Sequence, residues 1–219
     1  TGADGTATGT LSSTDPGAKV ITATIDGTPV TQDATVTVVI GPPSLATSQV
    51  TVSAATMTTD ESVTVTVQLR DIAGNALSTS GGTVALATTV GAIGAVTDNG
   101  DGTYTATLTS TAVGIATITA TLDANPIVDD ATVTVNPGVA TQLVFLSQPS
   151  AADTAAAIPS FVVQALDAAG NVATGFTGDV VLEIATGPLA GTITTGATVT
   201  AVAGEATFGD VRLDRKSVV

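Results

Sequence analysis

The segment Asp98-Asn99-Gly100-Asp101-Gly102 carries Asp, Asn and Asp at alternate positions, which is how a Ca²⁺ loop begins, because a hard cation takes oxygen ligands. The twelfth position of such a loop requires a bidentate Glu. Thr109 occupies it here. Asn-Gly and Asp-Gly are also the dipeptides that accept the positive φ of tight hairpins, so the segment reads as a turn between strands. A second candidate lies near a boundary between units. Asp129, Asp130 and Asn136 could offer oxygen ligands to a Ca²⁺ bound between neighbours and stiffen the chain. A melting midpoint unmoved by millimolar Ca²⁺ would remove that candidate.

Nucleophilic catalysis with an imidazole base needs His beside Ser or Cys, and the chain has neither His nor Cys. Glycoside hydrolysis needs two carboxylates across a cleft, one with a raised pKa. The acids instead fall at turn positions, as at Asp26, Asp71, Asp98, Asp101, Asp123 and Asp167, where Asp accepts from nearby backbone amides. The reading is a non-enzyme with no catalytic residue and no cofactor. Lys19 and Lys216 are the only lysines, too few for an isopeptide crosslink in each unit. Tyr104 invites comparison with the tyrosine corner of antibody domains, in which Cys follows two residues later. Ala106 stands there instead, so Tyr104 is expected to be an ordinary core aromatic.

These residues are positioned by a repeat. Residues Asp4 to Val38 align without a gap to Asp101 to Val135, a spacing of 97 residues (101 − 4). Self-similarity on this scale identifies a repeat array. Phe161 to Asn171 likewise falls on Val65 to Asn75, and Val180 and Leu182 fall on Val84 and Leu86, 96 residues on (167 − 71). Gly41-Pro42-Pro43 and Asn136-Pro137-Gly138 mark the boundaries, since Pro cannot continue a ladder and Gly lets the chain turn. The expected units are 1–41, a C-terminal half; 42–137, a complete repeat; and 138–219, the N-terminal portion of a third. On that reading the chain is truncated at both ends, and neither 1–40 nor 139–219 should melt cooperatively alone.

Within the complete unit, apolar residues alternate at Val63, Val65, Val67 and Leu69, at Val84 and Leu86, at Tyr104, Ala106 and Leu108, at Ala116, Ile118, Ala120 and Leu122, and at Ala131, Val133 and Val135. Alternation of this kind marks half-buried strands, and short strands with turn signals between them indicate an antiparallel sandwich. Asp71-Ile72-Ala73-Gly74-Asn75 is one such turn, and Gly91 to Gly94 crosses over. In the first unit, Ile21, Ala23 and Ile25, then Ala34, Val36 and Val38, predict two half-buried strands joined through Asp26-Gly27-Thr28-Pro29. In the third, Gly204 to Phe208 is expected where Asp101 to Tyr104 stands.

Composition agrees. The chain is 43% hydrophobic and 11% charged, which is outside the disordered class. Aromatics are scarce, so cores must be thin and filled by β-branched side chains. A net charge of −14 repels nucleic acid and anionic lipid, both of which are bound through Lys and Arg. No window approaches a membrane span, and Thr1 to Gly9 is not a signal peptide. We therefore expect no nucleic-acid partner and no membrane insertion by this segment. Open strand edges at both truncations and low charge density predict self-association.

The Asp-x-x-Gly-Asn turn after a Val-rich strand, the run Asp101 to Thr111, the strand Gly114 to Ala120 and the closing Ala131 to Val135 together resemble the bacterial immunoglobulin-like domains of the invasin and intimin group. The third unit, with Gln148-Pro149-Ser150, Gly178 to Leu182 and Gly204 to Phe208, resembles a variant common in large secreted or surface-anchored bacterial proteins. The resemblance implies tandem immunoglobulin-like Greek-key sandwiches, all-β, acting as a stalk that holds an adhesive tip away from the cell, at the cell surface or secreted. Partners would be the neighbouring repeats, and a host protein or glycan only through domains outside this segment. A glycan- or protein-binding module, or an accessory module of a large secreted enzyme, are the alternatives. Such a site is normally lined by aromatics, and the chain has four Phe, one Tyr and no Trp.

Overall fold

The computed structural model describes residues 4–150, 156–185 and 192–213; Lys216 and the chain beyond Leu213 lie outside them. The described residues form strands and no helix, as a Thr- and Val-rich chain with period-two alternation requires.

The first unit holds β1 (Gly17–Ile21), β2 (Thr24–Ile25), β3 (Thr28–Pro29) and β4 (Ala34–Val38). The complete repeat holds β5 (Gln49–Val52), β6 (Thr56–Thr58), β7 (Ser62–Gln68), β8 (Val84–Thr88), β9 (Ala92–Ile93), β10 (Thr97–Asp98), β11 (Thr103–Thr109), β12 (Gly114–Leu122) and β13 (Asn125–Asn136). The third holds β14 (Gln142–Phe145), β15 (Phe161–Leu166), β16 (Asp179–Val181), β17 (Ile193–Thr195), β18 (Thr198–Thr200), β19 (Glu205–Phe208) and β20 (Arg212–Leu213).

In the complete repeat one sheet runs β10-β11-β7-β5, with β9 also on β11, and the other runs β6-β13-β12-β8. Their inner faces supply Val63, Val65, Val67, Tyr104 and Leu108 from one side and Ala116, Ile118, Leu122, Val133 and Val135 from the other. Pairing is antiparallel except at β6, which runs parallel to β13 through Met57↔Val135. The chain leaves β5 in one sheet, bends at Ser53 to Ala55 and joins the other as β6. That change of sheet reverses its neighbour's relative direction, which alternation alone does not reveal.

The self-match is a structural match. β1 pairs with β4 as Gly17↔Val38 and Ile21↔Ala34, and β12 pairs with β13 as Gly114↔Val135 and Ile118↔Ala131, the same register 97 residues on. The burial differs from expectation: Val36 is 44% exposed and its counterpart Val133 is 0% exposed, because no second sheet covers β1 and β4 among the described residues. The first strand also breaks after Ile21, where β12 continues through a bulge between Thr119 and Thr121.

The turns recur as well. Asp26 and Gly27 have φ of 50° and 80°, and their counterparts Asp123 and Ala124 have 48° and 66°, the paired positive φ of a type I′ hairpin. Ala124 bears a strain that Gly27 does not, since a Cβ disfavours this region. Ala124→Gly is expected to raise the stability of the complete repeat by about 1 kcal/mol, read from its urea midpoint.

Tyr104 is buried, at 2% exposure, and is more than filler. Its hydroxyl donates to the Gly82 carbonyl at 2.7 Å and accepts from the Gly81 amide at 3.1 Å, tying the segment before β8 across the core. Tyr104→Phe leaves that amide unpaired, so thermal unfolding should show a loss of about 2 kcal/mol.

In the third unit the aromatic is displaced. Tyr104 pairs with Val67, whereas Ala206 pairs with Val163, the residue at Val67's position. Ala206 thus fills the place expected for an aromatic, and Phe208 stands two residues further along. The ring stacks on Phe161 with centroids 5.2 Å apart, replacing the smaller Val65 and Ala106 of the complete repeat.

Candidate functional site: the junctions between repeats

At each boundary the turn that follows β7 in the complete repeat, or β15 in the third unit, grips the unit before it. Asp71 Oδ1 accepts from the amides of Ala73 (3.0 Å) and Asn75 (2.9 Å), and the Asp71 amide donates to the Asn75 carbonyl at 2.9 Å. Gly74 closes the turn at φ 87°. The equivalent bonds at Asp167 come from Ala169 (2.9 Å) and Asn171 (2.8 Å), with Gly170 at φ 89°. So far this is the Asx-type turn chemistry expected of Asp.

The second carboxylate oxygen does something the local sequence does not announce. Asp71 Oδ2 accepts from the amide of Gly41, in the linker, at 3.1 Å. Asp167 Oδ2 accepts from the amide of Gly138, in the next linker, at 3.0 Å. The Asn side chains reach further: Asn75 Nδ2 donates to the Thr14 carbonyl at 2.8 Å, and Asn171 Nδ2 donates to the Thr111 carbonyl at 3.0 Å. Thr14 and Thr111, like Gly41 and Gly138, are 97 residues apart (111 − 14) and so hold equivalent places in successive units. The same plug meets the same socket twice.

The second junction carries two more bonds, both at Thr59: its hydroxyl donates to Asp167 Oδ2 at 2.7 Å and accepts from the Gly138 amide at 3.0 Å. Asp71 and Asp167 are 5% and 1% exposed. Burial opposes ionisation of Asp167, but the Thr59 hydroxyl, the Asn171 amide and the backbone amides of Asn171 and Gly138 outweigh it and hold the carboxyl well below the usual range. The Asn75 side chain is the main cause of the lowered pKa of Asp71, against a smaller opposing effect of burial. Both carboxylates are therefore ionised at neutral pH and act as fixed acceptors.

The other predicted positions fall elsewhere. Asp98 and Asp101 accept from Gly100 (2.9 Å) and Thr103 (2.9 Å) in the β10–β11 hairpin. Asp129 Oδ2 accepts from the Val50 amide at 2.8 Å, closing the outer edge of β5 against β13. Asp130 is exposed opposite Thr119, and the Asn136 carbonyl accepts from Thr59 at 3.0 Å. Asp129 and Asn136 are separated along β13 by about 23 Å at the usual strand rise of about 3.3 Å per residue. Among the described residues no three His, Cys, Asp or Glu side chains form a group that could hold a metal ion. Lys19 is half-buried on β1.

A two-sheet sandwich joined to the units on either side by a repeated clamp defines an immunoglobulin-like domain within an array of repeats. Residues 44–138 match the family described as invasin, domain 3. The chain is similar in structure to invasin, described as a bacterial integrin-binding protein, at 24% identity over 93% of this chain and 41% of that one, with a TM-score of 0.53. It is also similar to the Escherichia coli adhesin FdeC, at 25% identity over 90% of this chain and 67% of that one, TM-score 0.52, and to InvD of Yersinia pseudotuberculosis, at 19% identity over 93% and 66%, TM-score 0.50. The matched residues are those of the complete repeat, which resembles the immunoglobulin-like domains of invasin and FdeC in fold.

Proposed function

We propose that this chain is a spacer: repeats of a stalk in a bacterial surface-exposed or secreted adhesin-like protein, holding a distal functional domain away from the cell. The observation that carries the reading is the clamp, present with the same donors and acceptors at both junctions. A binding module has no need to fix its orientation to its neighbours, whereas a spacer transmits length only when its junctions resist bending. Short linkers favour the same outcome. The likeness to invasin and FdeC supports placement at the cell surface.

Small-angle X-ray scattering tests the proposal. A spacer gives the pair-distance distribution of a semi-rigid rod, and Asp71→Ala with Asp167→Ala shortens its maximum dimension and broadens it. An unmodified chain that already scatters as freely jointed domains would defeat the proposal.

A further inference from the structure

Strand β8 uses one of its two hydrogen-bonding edges. The Thr89 amide donates to the Thr117 carbonyl at 3.1 Å and the Asp123 amide to the Thr83 carbonyl at 2.8 Å, in the register Ala87↔Thr119 and Ala85↔Thr121. Antiparallel ladders alternate residue by residue. The amides and carbonyls of Ala85 and Ala87 therefore face β12, and those of Val84, Leu86 and Thr88 point away from the sheet.

Two other edges of this sandwich carry an acid that caps an outward amide. Asp129 caps the outward amide of Val50 on β5, and Glu61 Oε2 caps the Thr58 amide on β6 at 2.9 Å. Charged side chains and Pro are the usual devices that block an edge. Val84-Ala85-Leu86-Ala87-Thr88 contains neither.

The third unit shows what this edge accepts. Val180 and Leu182 stand where Val84 and Leu86 stand, 96 residues on (180 − 84). There the Leu182 amide donates to the Ala197 carbonyl at 2.7 Å and the Ala201 amide to the Gly178 carbonyl at 2.9 Å, with Val180↔Val199 in register. Strand β18 has been added antiparallel, on the edge that β8 leaves open. The corresponding strand of the complete repeat, β10, lies on β11 in the other sheet instead, so nothing among the described residues fills the position.

The added strand reads Ala197-Thr198-Val199-Thr200: uncharged, small and β-branched. Strand β8 is itself of that kind. Antiparallel pairing of a strand with its twin is self-complementary about a two-fold axis, and an axis at Leu86 sets Val84 opposite Thr88 of the other copy. Every outward amide and carbonyl then finds a partner. Exposed Ala85 and Ala87 meet across the seam, and neither is bulky or charged, so the chain's net charge of −14 is not concentrated there. We propose that the open edge of β8 is a strand-addition site for a second copy of this chain, β8 to β8 antiparallel, joining two four-stranded sheets into one of eight.

The absence of Cys from the chain makes the register testable. With the axis at Leu86, residue 85 of one copy faces residue 87 of the other as a non-hydrogen-bonded pair, close enough for a disulfide, while 85 to 85 is out of reach. Mixing Ala85→Cys with Ala87→Cys under mild oxidation should give a covalent dimer, and each variant alone should not. Sedimentation of the unmodified chain should show a dimer at submillimolar concentration. Ala85→Lys with Ala87→Lys should sediment as a monomer and melt where the unmodified chain melts at dilutions that dissociate its dimer, since both side chains are exposed. A monomeric unmodified chain, or a Lys variant that still dimerises, would overturn the proposal. So would an Ala-Thr-Val-Thr peptide that shifts the β8 amide resonances of a chain remaining monomeric, which would give the edge to a strand from another protein.

Discussion

Asp167→Ala is expected to free the third unit from the complete repeat and to destabilise the third unit by about 3 kcal/mol, because hydrogen bonds to a charged acceptor are each worth about 1.5–3 kcal/mol and several are lost together. One oxygen organises the turn through Ala169 and Asn171. The other holds Thr59 of the neighbour and Gly138 of the linker. Truncation therefore removes local order and interdomain order at once, and urea unfolding followed at the Phe161–Phe208 stack would report the first. Thr59→Val separates the two, since it deletes an interdomain bond and leaves the turn intact.

Acid should act in the same way. A carboxyl whose folded pKa is depressed stabilises the fold fully above its unfolded value, about 3.9, and loses that contribution as pH falls below it. Asp167 is depressed in this sense, so junction order is expected to be constant from neutral pH to about pH 5 and to fall away below about pH 4. In Asp167→Asn the junction is weak throughout and the acid transition at this site is absent.

Gly102→Ala carries the second large effect. Gly102 has φ 84°, and a Cβ there would lie 2.7 Å from the Leu77 carbonyl carbon and 2.8 Å from its Cβ. Its carbonyl accepts from the Leu69 amide at 3.0 Å, while Leu77 donates to the Leu69 carbonyl at 2.9 Å, so the backbone it would strike is pinned. Left-handed strain of about 1 kcal/mol and overpacking of 1–3 kcal/mol combine to about 3 kcal/mol of lost stability by denaturant titration. Gly100→Ala is the matched control: φ is 79° but no atom lies within 4 Å, so about 1 kcal/mol is expected from strain alone. Gly204 repeats the geometry, with φ 81° and the Ala173 carbonyl oxygen 2.7 Å from a would-be Cβ, and its carbonyl accepts from Ala165 at 2.8 Å.

Repeat spacing, strand alternation and turn dipeptides are local properties, and they were sufficient to place β7, β11, β12 and β13 and to align residues 4–38 with 101–135. What they could not carry is the use of the second oxygen of Asp71 and Asp167. Its backbone donors lie 30 and 29 residues away along the chain, in segments that read as mere linkers. The signal was nevertheless present: Gly41, Asn75 and Thr14 recur as Gly138, Asn171 and Thr111, polar or flexible positions repeated where strand formation asks for nothing. The parallel β6, the sheet change of β18 and the shift from Tyr104 to Phe208 escaped for another reason. Alternation says which side of a strand is buried, but not which neighbour lies beside it.

A locked junction is tested most directly by the distance between its two sides. With nitroxides on Thr119→Cys in the complete repeat and Thr207→Cys in the third unit, both exposed strand positions in a chain without native Cys, electron–electron double resonance at neutral pH should give one narrow distance distribution. The same pair in the Asp167→Ala background should give a broad one. A broad distribution in the otherwise unmodified chain, or a narrow one indifferent to Asp167→Ala, would contradict the clamp.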